Sequence, residues 1–150
     1  PAYPSAPWEW ASASPDIVLP AGAAEVEDVT EVFNAPYNRV MVGSQRWALT
    51  EVKRAGTPGD LLAPQFMHDA LTDITAARQA GIAILAESGL HHDVQLTTMV
   101  LPETGLIHPG KLVQYTDVDN KEWRGLVRAS SLNMQQFPVM TQTLMLECHA

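Results

Sequence analysis

The apolar positions of this chain fall into short strand-like runs, broken by one stretch with helical spacing. The clearest strand pattern surrounds Thr98 to Trp123. An apolar run ends at Leu101-Pro102, and a turn of Glu103, Thr104 and Gly105 follows. His108-Pro109-Gly110 then leads into the alternating run Lys111 to Tyr115. The chain turns again at Asp117 to Asn120 and returns through Trp123, Leu126 and Val127. Gly and Asn tolerate positive φ and Pro fixes it near about −65°, so this spacing predicts a β-meander.

Further strands are predicted on either side. Tyr37 to Val42 and Trp47 to Val52, separated by Gly43-Ser44-Gln45-Arg46, read as an antiparallel hairpin. Glu25 to Phe33 reads as a short acidic strand, and Asp93 to Leu101 and Val139 to Glu147 as two more. Arg54 to Gln65 holds two Gly and two Pro, which exclude a regular element and leave a long loop. The helical stretch is Asp69 to Ser88, where Leu71, Ile74, Ala77, Arg78, Ile82 and Leu85 lie near one stripe. Asp69 is the expected N-cap, and Gly89 suits the left-handed position that ends a helix. Ala76, Ala77, Ala80 and Gly81 give this helix a thin flank that permits close approach.

Strands, one helix, then more strands, without βαβ alternation, predict an α+β fold with a mainly antiparallel sheet. Its expected closure is a small β-barrel, with the amphipathic helix inserted between strands and plugging or flanking it. Residues 1–20 carry five prolines with Trp8 and Trp10, a composition that predicts an extended arm or linker. Two indoles are costly to leave in water, so the arm should lie on a neighbouring surface. Residues 21–150 are then expected to be the barrel-plus-helix domain.

Composition narrows the function. A length of 150 residues suits one domain, and 46% hydrophobic with 17% charged residues is globular. The net charge of −8, with scattered Lys and Arg, argues against a broad phosphate-binding surface. The single cysteine, Cys148, excludes an internal disulfide. No run approaches the roughly 18 apolar residues of a membrane helix, and no signal peptide is legible. The expectation is a soluble protein assembled in cytoplasm.

Candidate chemistry is thin. In His91-His92-Asp93, adjacent side chains of an extended chain point oppositely and cannot converge on one ion unaided. Cys148-His149 fails as a catalytic dyad for the same reason. Glu103 with Asp117 or Asp119 forms a carboxylate pair of the kind glycosidases use, but 17 acids produce such pairs by chance, and these lie in solvated turns. Gly56-Thr57-Pro58-Gly59-Asp60 lacks the GK[ST] of a phosphate loop. The chain is therefore expected to be no enzyme, with no catalytic, cofactor or metal site. Protein contacts are expected at Trp8 and Trp10 and in the loop carrying Arg54, Asp60 and Gln65. A second reading is a carbohydrate- or receptor-binding module in which Trp47, Tyr115 or Trp123 stacks on sugars.

Taken in order, Tyr37 to Gly43, Val52 to Asp60, the helix from Asp73 to Gly81, Leu101 to Lys111, Trp123 to Arg128 and Gln142 to His149 form a sequence signature. Together they resemble tail proteins of Mu-like siphophages and prophages, of the baseplate-hub or late-control D type. The resemblance covers roughly Pro36 to His149. It implies a β-barrel virion subunit that forms a ring, trimeric or hexameric, at the tail tip. Such a subunit would contact tube and fibre proteins, and DNA would meet it only in transit through a channel.

Overall fold

The computed structural model describes residues 6–45, 47–136 and 139–149. After a 3-10 turn at Pro7–Glu9, the elements are β1 (Ile17–Val18), β2 (Ala24–Phe33), β3 (Arg39–Ser44), β4 (Trp47–Lys53), β5 (Phe66–Met67) and α1 (Ile74–Ala86). Then come β6 (Leu90–Met99), β7 (Leu112–Thr116), β8 (Glu122–Gln136) and β9 (Val139–His149). The chain divides into two compact units. Phe33–Leu90 is one, and the stretches up to Val32 and from His91 onward make the other.

The larger unit holds a six-stranded sheet in the order β1-β7-β8-β9-β6-β2. The ladders β7–β8, β8–β9 and β9–β6 are antiparallel, while β1 lies parallel to β7. Alternation within each strand sorts side chains onto two faces. Val94, Leu96, Val113, Val127, Leu144 and Leu146 share one face and form the main core with Leu19, Ile107, Tyr115 and Cys148. Burying each such aliphatic side chain stabilises the fold by roughly 1.5–3 kcal/mol.

Ile17 of β1 and Val26 of β2 both pack against this core, so the two margins of the sheet bend over a common centre. They do not join, because β1 ladders to β7 and β2 neighbours β6. The expected closed barrel is therefore corrected to a curled open sheet. Closure needs a staggered ladder across the last gap, and a two-residue β1 supplies too little edge for one.

The smaller unit is a three-stranded sheet in the order β4-β3-β5 with α1 against β3 and β4. The hairpin β3–β4 forms as the sequence predicts, pairing Val40 with Val52 and Val42 with Thr50, whereas β5 adds in parallel. The helix packs on this small sheet, against β3 and β4. It also begins later than expected. Asp69 and Ala70 are consumed by a turn in which Leu71 N donates to His68 O and Ala70 N to His68 Nδ1. The N-cap is Asp73, in extended backbone, whose side chain accepts from Ala76 N at 2.8 Å; such caps stabilise by about 1 kcal/mol. Gly89 follows the helix at φ +84°, the left-handed role assigned to it.

Candidate functional site

The β7–β8 turn is built by one carboxylate. Asp117 Oδ1 accepts from Asp119 N at 2.9 Å and Lys121 N at 3.0 Å, and Oδ2 accepts from Trp123 Nε1 at 2.7 Å. Asn120 takes the positive φ, +58°, that the turn requires. The indole hydrogen bond, ahead of the backbone ones, holds the Asp117 carboxyl below its usual range. This turn and β2 border a cavity of about 540 Å³ whose wall includes Val26, Val29, Val94, Tyr115, Asp117 and Trp123.

The cavity does not offer an open aromatic platform. Tyr115 is 3% exposed and lies in the main core with Cys148, and burial raises its pKa. Burial likewise pushes the Cys148 thiol up to about 12. One face of Trp123 carries Lys121 Nζ at 3.8 Å from the ring centre, and His92 stands edge-on to it at 5.6 Å. The Trp47 side chain, the third candidate for sugar stacking, lies outside the described residues.

On the opposite face the N-terminal stretch docks. Trp10 is 1% exposed and packs with Leu112 and Leu126, its ring edge-on to His149 at 5.3 Å. Arg124 fixes the backbone beside it, Nη1 donating to the carbonyls of Trp10 at 3.3 Å, Ala11 at 2.5 Å and Ala13 at 3.0 Å, while Nε donates to Gln114 Oε1 at 2.9 Å. Asp16 Oδ2 accepts from Leu112 N at 2.9 Å and extends the attachment to β7. Trp8 is half-buried. Of the two tryptophans expected to be contact residues, Trp10 thus contacts its own chain.

Beside Trp10 lies a buried polar group. Glu147, 1% exposed, meets His149 Nε2 at 2.7 Å, and Arg128 Nε approaches its other oxygen to 2.6 Å, a charge pair without hydrogen-bond alignment. His91 stacks on His149 at 5.3 Å. The structure places His91-His92-Asp93 within β6, where His91 pairs with His149 and His92 with Cys148. His91 and His92 occupy opposite faces. Cys148 and His149 divide in the same way, Sγ into the core and imidazole toward Trp10. Among the described residues no three His, Cys, Asp or Glu side chains gather as a metal site.

The loop candidates belong to the smaller unit. Asn38, nearly buried, donates to Asp60 Oδ1 at 2.9 Å and accepts from Leu61 N at 2.9 Å, so Asp60 ties the loop to the start of β3. That hydrogen bond, first among several, holds the Asp60 carboxyl low. Arg54 is half-buried and Gln65 exposed. A further exposed feature lies along β8. Past Val127, which exchanges backbone hydrogen bonds with Gly110 and Lys111, the outer side of β8 has no ladder partner among the described residues: β7 pairs with Glu122 to Leu126, and β8 runs on to Gln136 against β9. Its signal was legible: Ala129 to Gln136 has no charge in a chain of net charge −8.

Comparison with known proteins rests on structure alone. No protein-family model matches the chain, and no curated protein does. Its fold is similar to that of the 43 kDa tail protein of prophage MuSo2 from Shewanella oneidensis, with a TM-score of 0.50 and 12% identity over 87% of this chain and 42% of that one. A tail protein from Neisseria meningitidis MC58 aligns with a TM-score of 0.48 and 13% identity over 91% of this chain and 45% of that one. The chain spans less than half the length of either.

Proposed function

We propose that this chain is a structural component of a bacteriophage tail, of the baseplate-hub kind, working at the tail tip without catalysis. It assembles in the host cytoplasm, self-associates as a trimeric or hexameric ring, and contacts tube and fibre proteins. DNA meets it only in passage through the ring. The observation that supports this reading most is the architecture shared with the MuSo2 tail protein over 87% of the chain. The long strand margin at β8 is a second support, since an uncovered ladder edge is suited to pairing with another chain.

A carbohydrate-binding module draws no support from Tyr115 and Trp123, which are buried or overlaid. The acidic balance fits a channel that repels phosphate and lets DNA slide. Light scattering of the purified chain tests the assembly part. A discrete trimer or hexamer is expected; a monomer at every concentration would overturn it.

A further inference from the structure

At the level of Ser131 the six-stranded sheet is only four strands wide, β8-β9-β6-β2, because β7 and β1 lie further down. A polar row crosses it there. Ser131 pairs with Thr143, Thr143 pairs with Thr97, and the two threonine hydroxyls lie 2.9 Å apart. Thr97 Oγ1 then donates to Glu27 Oε1 of β2 at 2.6 Å, and Gln95 donates to Oε2. The row therefore begins at a hydroxyl on one margin and ends at a carboxylate on the other.

The two margins differ in charge. β2 carries Glu25, Glu27, Asp28 and Glu31, so two such edges laid together would set carboxylate against carboxylate. The β8 margin offers Ser130, Ser131 and Asn133, all exposed, and no charge as far as Gln136. Lys, Pro and inward charges are the usual means of blunting an edge, and none occurs from Ala129 to Gln136. Hydroxyl and amide donors are what Glu27 already uses on its own β6 neighbour.

We infer that the outer edge of β8, Ala129 to Gln136, pairs with the outer edge of β2 of a second copy of this chain. Ser131 and Asn133 then face the second copy's carboxylates as Thr97 and Gln95 face Glu27 within one copy. The seam is heterologous, joining two different edges, a geometry that makes a ring when its rotation closes. It rests on the self-assembly reading and specifies the surface that reading uses.

The sign of an added charge tests it. Ser131→Glu and Asn133→Glu together set new carboxylates against those of β2. The association midpoint of the full chain, read by light scattering, should move to roughly five- to tenfold higher concentration. Ser131→Lys with Asn133→Lys should leave association unchanged or tighten it. Both positions are exposed, and circular dichroism checks that each variant is folded. Pairing of β8 with β8 would be weakened by either sign, and that result overturns the seam. An oligomer indifferent to both signs overturns the seam while leaving self-assembly intact. A monomeric parent chain overturns both.

Discussion

A Cβ built on Gly81 of α1 would stand 2.5 Å from Cγ2 and 2.7 Å from Cβ of Val52 on β4, so the helix and the small sheet meet at a distance only glycine permits. Val52 is itself buried and branched at Cβ, and cannot swing aside. Gly81→Ala is expected to destabilise the fold by about 1–3 kcal/mol in denaturant titration, even though alanine favours helix by about 1 kcal/mol. Adding Val52→Ala should recover part of the loss, which a propensity effect alone would not do.

Trp10→Ala removes a buried indole from Leu112, Leu126 and His149. The expected cost is about 3–5 kcal/mol. Limited proteolysis should then cut near residues 11–15 well before the sheet, since the Arg124 hydrogen bonds and the Asp16 attachment to Leu112 would hold that backbone without the apolar anchor between them.

Asp117 ties acid sensitivity to one turn. Its carboxyl is held below the ordinary range, so its stabilising contribution is complete above that range and is lost as pH falls through the lowered value. Asp117→Asn should melt at a lower temperature than the parent near neutral pH. The gap between the two melting curves should narrow as the solution is acidified below the ordinary carboxylate range.

Cys148 is fully buried and its thiol is pushed up to about 12. A thiol reagent at mildly alkaline pH should therefore leave the native chain unmodified and react fully once denaturant is added. Rapid modification of the native chain would contradict the packing of Sγ between Tyr115 and Gly125.

Local signals in the sequence carried much of this fold. The β3–β4 hairpin, the β7–β8 turn with Asn120 at positive φ, and Gly89 after α1 are all set by residues within a few positions of one another. The elements that escaped are those set at long range. β1 and β5 are two residues each and exist only because β7 and β3 offer them an edge. The later half of β8 is rich in Ser, Asn and Gln, its alternation is confined to Leu132 and Met134, both exposed, and it is held by its register with β9. Closure of the sheet depends on whether distant margins meet, which alternation along one strand cannot encode. At the candidate site, residue type was legible and partnership was not. The indole of Trp10 signalled burial, but only the fold names Arg124 and His149 as its neighbours.

The central claim is that this chain works as a tail-tip structural protein, and electron microscopy of intact phage particles labelled with gold-conjugated antibody to it tests that most directly. The account predicts label confined to the distal end of the tail. Label on the capsid, or particles that never carry the chain, would contradict it.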